Sequence, residues 1–140
     1  MDELKFAVIG NPVSHSLSPD IHLFFASQFQ LERYTYNKIK SNENDFERDI
    51  NDFFKNGGVG LNVTVPFKGL AYNLCDELDQ SAGLCKSVNT VLIDSGKLIG
   101  HSTDGQGLID DFLHKEITLE DSKILIIGAG GSAASIISSL

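Results

Sequence analysis

The sequence predicts an α/β fold of three layers, αβα, in which a mostly parallel sheet lies between two layers of helices. Two observations lead to this prediction: short apolar runs typical of buried strands alternate with segments of helical periodicity, and glycine, proline or asparagine separates most of them. Strands are expected at residues 5–9, 34–39, 59–65, 88–93, 98–102 and 123–127. The fourth and fifth strands flank Asp94, Ser95 and Gly96, a sequence typical of a hairpin turn.

Helices are predicted where apolar residues recur at spacings of three and four. The first should have Ser18 as its N-cap, because Pro19 is favoured at the first helical position and Asp20 in the first turn. Its apolar face consists of Ile21, Phe24, Phe25 and Phe29. Further helices are expected at residues 46–54, 68–78 and 108–113 and at the apolar end of the chain.

The third predicted strand carries polar side chains on one face only. Valine and leucine occupy the other face, at positions 59, 61, 63 and 65, whereas Asn62 and Thr64 point the opposite way. Polar groups on a central strand need partners, so these two side chains indicate a hydrogen-bond network or a ligand site. Lys68 follows the C-terminal end of this strand, where open α/β sheets bind ligands, although an isolated lysine is more often a solvated surface charge.

Residues 10–19, GNPVSHSLSP, join the first strand to the first helix. Ser14 and Ser16 are two residues apart, so in an extended segment their hydroxyls lie on the same side and suit the two oxygens of a carboxylate. Pro12 and Pro19 restrict the backbone around them. The alternative interpretation is an ordinary polar loop, in which His15 is a loop or packing residue.

Two further polar residues flank the predicted hairpin at the end away from its turn. Asn89 opens the first arm and Asp104 follows the second, so both should lie at one edge of the sheet. The alternative is capping, because Asp104 before Gly105 also suits the start of the next helix. Their combination with Lys68 and a glycine-rich turn favours a binding site over capping alone.

Residues 128–133, GAGGSA, match the pattern G-x-G-x-x-A, follow a predicted strand and open a predicted helix. Small residues let the backbone approach a pyrophosphate, and a helix N-terminus offers free N–H groups; the alternative is a tight turn without a ligand. The residue that selects NAD or NADP follows about 20 positions later, beyond Leu140. The sequence therefore predicts a domain at 1–103, a linking helix and loop at 104–121, and at 122–140 the first βα unit of a truncated Rossmann domain, so we expect a fragment.

Composition and charge exclude several classes of protein. The net charge of −8 and the absence of a lysine or arginine cluster argue against nucleic-acid binding. No apolar run approaches the roughly 20 residues of a membrane span, and the N-terminus has no secretion signal. Cys75 and Cys85 fit no metal-binding or CxxC pattern, so we expect reduced thiols in a cytoplasmic protein without a metal site.

Five motifs, taken in order, resemble the N-terminal half of the shikimate dehydrogenases: GNPVSHSLSPDIH, NVTVPFK, SVNT, STDGQG and GAGGSA. The first two are specific, and the resemblance extends from Phe6 to Ser132. It implies a substrate domain, then a Rossmann domain that binds NADP, then a helical return onto the first domain. The implied reaction is the reversible, NADP-dependent reduction of 3-dehydroshikimate to shikimate, a step towards chorismate and the aromatic amino acids.

The resemblance also implies roles for individual residues. The residues that would bind the substrate are Ser14, Ser16, Asn62, Thr64, Lys68, Asn89 and Asp104. Among them the two serines would hold the carboxylate, Thr64, Asn89 and Asp104 would bind ring hydroxyls, and Asn62 would support them. Lys68 and Asp104 would form the catalytic pair, with Lys68 as the proton donor in reduction. The residues that would hold the cofactor pyrophosphate are Gly128, Ala129, Gly130, Gly131 and Ser132.

The sequence departs from the family pattern at two places. Lys86 and Ser87 stand where the family usually has Gly-Ala, and Ser102 stands where it usually has asparagine. Because both places are expected near the site, a relative acting on quinate or another hydroaromatic acid stays open, as do a non-catalytic binding remnant and a different two-domain dehydrogenase. The incomplete cofactor site predicts little or no turnover for the chain alone. The apolar last helix predicts association, for example as a homodimer.

Overall fold

The structure, a computed structural model, describes residues 3–140 and forms one sheet flanked by helices. The strands are β1 (Leu4–Gly10), β2 (Tyr34–Lys40), β3 (Gly58–Val63), β4 (Glu77–Leu78), β5 (Thr90–Asp94) and β6 (Lys97–His101). The helices are α1 (Ser18–Gln28), α2 (Phe46–Lys55), α3 (Lys68–Leu74), α4 (Gln80–Cys85), α5 (Asp104–His114) and α6 (Gly131–Ile137). Across this part of the chain, no helix is long and apolar enough to span a membrane.

The six strands have the order β2-β1-β3-β5-β6-β4. β1 runs parallel to β2 and β3, and β4 runs parallel to β6, whereas β5 is antiparallel to both β3 and β6. The predicted α/β class is confirmed, but the sheet is more mixed than the mostly parallel sheet that we expected. The predicted hairpin accounts for part of the difference, because Ser95 and Gly96, both with positive φ, form a two-residue turn that reverses the chain between β5 and β6.

The alternation of side chains along β1 places a core on each face of the sheet. Ala7 and Ile9 belong to the larger core, against which α2 packs three buried side chains. Val8 belongs to the smaller core together with Tyr36, on whose ring His22 of α1 stacks with a centroid distance of 4.4 Å. Helices therefore cover both faces of the sheet, which is the three-layer arrangement that the sequence predicts.

The prediction of a strand at residues 123–127 is wrong. The described residues that follow β6 contain no strand, and Leu125 and Ile127 are 85% and 92% exposed. A strand needs a neighbour for its backbone hydrogen bonds, and no strand within residues 3–140 pairs with this segment. The expected first βα unit of a Rossmann domain is therefore present only as the glycine-rich turn and α6.

Three predicted boundaries also differ from the structure. The N-cap of α1 is Leu17, so Ser18 is already inside the helix. The helix predicted at 68–78 ends at Leu74, because the next residue has an extended backbone, and two short elements that we did not predict, β4 and α4, follow. β3 ends at Val63, and Val65 is 58% exposed because the chain leaves the sheet before Pro66.

The apolar face predicted for α1 lies at the surface. Its members are between 48% and 76% exposed: Ile21, Phe24, Phe25 and Phe29. Ala26 is the one buried residue of the helix. At the end of the chain, Ile137 and Leu140 are also exposed, as expected for the last helix. Apolar periodicity thus predicts the helix correctly, but burial depends on a neighbouring element that covers the face.

Both cysteines are free thiols. Cys85 is buried, and burial raises the pKa of the Cys75 thiol to about 11, so this group stays protonated at neutral pH. Among residues 3–140, no group of three or more histidine, cysteine, aspartate or glutamate side chains is arranged to hold a metal ion.

Candidate active site

Three predicted site residues meet at one edge of the sheet because of the strand order. β3 is antiparallel to β5, and β5 to β6, so the C-terminal end of β3 adjoins the start of β5 and the C-terminal end of β6. Lys68 follows β3, Asn89 precedes β5 and Asp104 follows β6. The topology therefore brings together side chains that are far apart in the sequence.

Lys68 and Asp104 form an ion pair at this edge. The Lys68 ammonium donates a hydrogen bond to Oδ2 of Asp104, and the two side chains are 12% and 24% exposed. Partial burial reduces screening by water, so the attraction is stronger than between two charges at the open surface. Each side chain keeps some exposed area, through which a ligand can reach the pair.

Asn89 holds the other oxygen of the Asp104 carboxylate. Its Nδ2 donates to Oδ1 of Asp104 at 2.7 Å and to Oγ1 of Thr103 at 2.9 Å. Its Oδ1 accepts from the backbone N–H of Thr103 at 3.1 Å. Both carboxylate oxygens therefore have partners, and the orientation of Asp104 towards Lys68 is set before a ligand binds.

Asn62 extends this network towards β2. Its Nδ2 donates to the backbone carbonyl of Asn89 at 3.4 Å and to Oγ1 of Thr90 at 3.2 Å, and its Oδ1 accepts from the Tyr36 hydroxyl at 2.6 Å. Burial raises the pKa of the Tyr36 phenol well above its ordinary value, so the hydroxyl stays protonated and remains a donor. Tyr36 could not be predicted as part of this network, because its contact with Asn62 depends on β1 lying between β2 and β3.

The two serines predicted to hold a carboxylate lie in the loop before α1. Oγ of Ser16 donates to Oγ of Ser18 at 3.0 Å and accepts from the Ser18 N–H at 3.2 Å, so Ser16 serves the first turn of the helix. Ser14 is exposed, and its backbone carbonyl accepts from the Lys38 ammonium at 2.7 Å. A cavity of about 300 Å³ beside Ser14 is also lined by Lys38 and Lys40, which surround it with positive charge.

Thr64 follows β3 and packs against the end of β1. A Cβ added at Gly10 would lie 2.3 Å from the methyl group of Thr64, so glycine at position 10 permits this contact. In the part of the chain that the structure describes, no hydrogen bond joins the side chains of Ser14, Ser16 or Thr64 to the network around Asp104. The structure therefore links four of the predicted site residues directly, namely Asn62, Lys68, Asn89 and Asp104.

The glycine-rich turn lies next to the ion pair. Oγ of Ser132 accepts a hydrogen bond from the Lys68 ammonium at 2.9 Å and donates to Oδ2 of Asp104 at 3.1 Å. From the sequence, Ser132 was predicted to contact the cofactor only. Its contacts with Asp104 and Lys68 join residues 28 and 64 positions apart, which local patterns do not relate.

The outer side of this turn has room for a phosphate group. Gly128 has a φ of +128°, which favours glycine, and a Cβ added at Gly128 or Gly130 would meet no atom within 4 Å. Backbone that is free of side chains suits the close approach of a pyrophosphate, so these residues fit the predicted cofactor. Gly131 differs, because an added Cβ would lie 2.5 Å from Oγ of Ser87. At that position glycine permits close packing within the protein.

Two of the three residues that depart from the family pattern are buried against α6. Ser87 is 2% exposed and its Oγ faces Gly131, while Ser102 is 4% exposed and its Oγ lies 2.9 Å from Oγ of Ser135. Lys86, the third residue, is exposed, so an influence of these positions on the choice of substrate stays a prediction.

Replacing Ser87 with alanine is expected to raise the free energy of unfolding by about 1 kcal/mol. The Ser87 hydroxyl is buried without a hydrogen-bond partner among the described residues, so folding removes its hydration without compensation. Ser102→Ala is the matched control, because that buried hydroxyl has partners and its removal should be destabilising. Urea denaturation measures both changes; a destabilised Ser87→Ala variant would show that the hydroxyl has a partner in solution.

The family becomes evident from comparison with known proteins. The family model for the shikimate dehydrogenase substrate binding domain matches residues 8–91. The shikimate dehydrogenase (NADP(+)) of Acinetobacter baylyi is 44% identical over 133 residues, which cover 95% of this chain and 50% of that protein.

Solved structures share the fold. The shikimate 5-dehydrogenase of Thermus thermophilus in complex with NADP(H) and shikimate has a TM-score of 0.90 at 32% identity, over 97% of this chain and 51% of that one. The shikimate dehydrogenase of Aquifex aeolicus has a TM-score of 0.92 at 31% identity, over 98% of this chain and 51% of that one.

The family model and the fold together identify a substrate-binding domain, with a polar network at the carboxyl edge of its sheet. The chain belongs to the shikimate dehydrogenase family. It spans about half the length of the curated relative that it matches.

Proposed function

We propose that the protein containing this chain catalyses the reversible, NADP-dependent reduction of 3-dehydroshikimate to shikimate, a step towards chorismate and the aromatic amino acids. The observation that carries the proposal is the Lys68–Asp104 ion pair at the carboxyl edge of β3 and β6, with Asp104 held by Asn89. Family membership supports the substrate, and the name of the Acinetobacter baylyi relative supports NADP. The free thiols of Cys75 and Cys85 fit a reducing cytoplasm.

In the reductive direction, Lys68 supplies the proton that completes the new hydroxyl. When bound, NADPH would supply the hydride that the carbonyl carbon of the substrate accepts. As the C=O double bond opens, the oxygen gains negative charge, which the Lys68 ammonium first stabilises and then protonates. Asp104 keeps Lys68 in place through its Oδ2, and Lys68 takes up a proton from solvent before the next turnover. In the oxidative direction, neutral Lys68 takes the proton of the hydroxyl.

Ser14 and Ser16 hold the substrate carboxylate in this proposal. The Ser16 hydroxyl donates to Ser18 in the free chain, and its rotation would direct that proton to a carboxylate while Oγ still accepts from the Ser18 N–H. Lys38 and Lys40 beside Ser14 attract an anion to a protein whose net charge is −8.

The ring hydroxyls and the cofactor occupy the remaining predicted residues. In this proposal the ring hydroxyls are bound by Thr64, Asn89 and Asp104. Asn62 supports Asn89 by donating a hydrogen bond to the backbone carbonyl of Asn89. The residues that would hold the cofactor pyrophosphate are Gly128, Ala129, Gly130, Gly131 and Ser132, of which the first and third leave the most open space.

For the 140-residue chain alone we propose ligand binding without turnover. Residues 1–103 form the substrate domain and residues 104–121 the link. The cofactor part, residues 122–140, consists of a turn and α6 without the preceding strand. A hydride donor held by so few contacts would not stay positioned for transfer.

An NMR titration of the chain with shikimate tests the substrate site. Saturable shifts are expected at the backbone amides of Ser14, Ser16, Thr64, Asn89 and Asp104. Ser16→Ala should raise the dissociation constant about 10- to 100-fold, because a hydrogen bond to a charged group contributes roughly 1.5–3 kcal/mol. The matched control is Ser95→Ala in the exposed hairpin turn, which should leave the dissociation constant unchanged.

Two outcomes would count against this assignment. A folded sample without shifts would refute shikimate binding by the chain, and the same titration with quinate would then show whether the site accepts a different hydroaromatic acid. Shifts confined to α1 or α6 would place the ligand away from the serine loop and from Asp104.

A further inference from the structure

A buried pair of serine hydroxyls joins α6 to the start of α5. Ser135 is 1% exposed and Ser102 is 4% exposed, and their Oγ atoms lie 2.9 Å apart. Oγ of Ser135 also accepts a hydrogen bond from the backbone N–H of Gly105 at 3.0 Å. Gly105 directly follows Asp104, so Ser135 contacts the backbone turn that carries the proposed catalytic carboxylate.

The hydrogen bonds of this serine pair can form one continuous series. Sγ of Cys85 lies 3.3 Å from Oγ of Ser102 and 3.3 Å from the carbonyl oxygen of Ser87, and its single proton serves one of them. The Cys85 thiol donates to Oγ of Ser102 or to the carbonyl of Ser87, and one of the two serine hydroxyls donates to the other. Oγ of Ser135 and Oγ of Ser102 therefore each have two hydrogen-bond partners, and a buried polar group with its partners in place favours one packing arrangement.

Gly105 shows how closely α5 and α6 approach each other. A Cβ added at Gly105 would lie 2.2 Å from the carbonyl oxygen of Ser135 and 2.2 Å from Oγ of Ser139. Because the first of these atoms is backbone, a side chain at position 105 would push the two helices apart. The Ser135 hydrogen bond therefore depends on a contact that only glycine allows.

Ser132 and Ser135 are three residues apart on α6, so they share one face of the helix. While Ser135 accepts from Gly105, Ser132 donates to Oδ2 of Asp104 and accepts from Lys68. A rotation or shift of α6 that breaks the hydrogen bond between Ser135 and Gly105 would also move Ser132 relative to Asp104 and Lys68. The position of α6 and the hydrogen bonds between Ser132 and the ion pair therefore depend on each other.

We propose that Ser135 is a positioning residue for the Lys68–Asp104 pair. Ser135 accepts a hydrogen bond from the Gly105 N–H and forms another with Ser102. These two bonds hold α6 in the position in which Ser132 is hydrogen bonded to both Lys68 and Asp104. An effect of Ser135 on catalysis rests on the proposed function, whereas its hydrogen bonds to Gly105 and Ser102 do not.

The first test compares Ser135→Ala with Ser132→Ala and with the double variant in this chain. The side-chain amide of Asn89 donates to Asp104, so its NMR shift reports on the carboxylate. Both single variants should move that signal in the same direction, and the double variant should add little to either. Ser138→Ala, at the residue that directly follows α6, is the matched control, because its hydroxyl donates to the carbonyl of Ser135 and contacts neither Asp104 nor Lys68. It should leave the signal unchanged.

The second test measures kinetics in the full-length protein that contains this chain. Ser135→Ala and Ser132→Ala should each lower kcat about tenfold with KM for shikimate unchanged, and the double variant should be no slower than either. An unchanged Asn89 signal in Ser135→Ala, or effects of the two variants that multiply, would overturn the proposal.

Two further measurements keep the proposal testable if the first variant or the assay fails. Should Ser135→Ala not fold, Ser102→Ala removes only its partner and should move the Asn89 signal in the same direction; no movement would overturn the proposal. If the unmodified full-length protein lacks shikimate dehydrogenase activity, the proposed function fails, and the NMR comparison alone decides the positioning role.

Discussion

If the proposed function holds, Lys68→Met in a protein that joins this chain to a complete cofactor domain should lower kcat for shikimate oxidation by at least about 100-fold and change KM for shikimate little. Methionine keeps much of the apolar stem of lysine but cannot accept or donate a proton. Lys68 lies at the carboxyl edge of β3 and contacts Asp104. In the proposed mechanism its loss removes proton transfer but leaves Ser14 and Ser16, the residues proposed to hold the carboxylate, in place. Steady-state kinetics in both directions measures the change.

Two further variants test whether a lower kcat comes from the loss of proton transfer, from the loss of a positive charge or from the replacement of any lysine. Lys115→Met is the matched control, because Lys115 pairs with Asp111 on an exposed part of α5 at 2.7 Å, and kcat should not change. Lys68→Arg keeps the positive charge, but arginine is not deprotonated in proteins, so it should be almost as slow as the methionine variant. An unchanged kcat in Lys68→Met, or full activity in Lys68→Arg, would contradict proton transfer by Lys68.

Residues next to a strand end could be placed from sequence alone. Lys68, Asn89 and Asp104 each lie within a few residues of a predicted strand, and the turn at 94–96 forces the outer ends of its two arms to the same edge. The polar alternation of β3 likewise pointed to Asn62. These placements needed only the period of a strand and the chemistry of one turn.

Contacts that depend on strand order or on helix packing could not be predicted in this way. Tyr36 contacts Asn62 because β1 lies between their strands, an order that no local pattern encodes. Ser102 and Ser135 are 33 positions apart, and each alone is an ordinary small polar residue. Only the packing of α6 against α5 shows that their hydroxyls share one buried site.

Apolar patterns predicted elements better than they predicted burial. The spacing along α1 indicated a helix, which is present, yet Phe24 and Phe29 are 60% and 76% exposed. Residues 123–127 have the composition of a buried strand but lack a strand to pair with among the described residues. Periodicity is a property of the segment itself, whereas burial and pairing are properties of its neighbours.

Phe67→Ala is expected to lower the free energy of unfolding by about 3–5 kcal/mol. Phe67 is 1% exposed, belongs to the larger core, and has its ring centroid 5.0 Å from that of Phe46. Removing the ring loses these contacts and leaves a cavity between α2 and the start of α3. Because small domains are stable by roughly 5–15 kcal/mol, this loss is a large fraction of the total. Urea denaturation followed by circular dichroism measures it.

Phe29→Ala removes the same atoms from a side chain that is 76% exposed, so its expected effect is within about 0.5 kcal/mol. If this control destabilises the chain as much as Phe67→Ala does, the apolar face of α1 is covered in solution. A midpoint of unfolding that rises with protein concentration would then identify association as the cause. If Phe67→Ala instead costs less than about 1 kcal/mol, its ring does not fill the core. The placement of Lys68, the next residue along the chain, would then have to be reconsidered too.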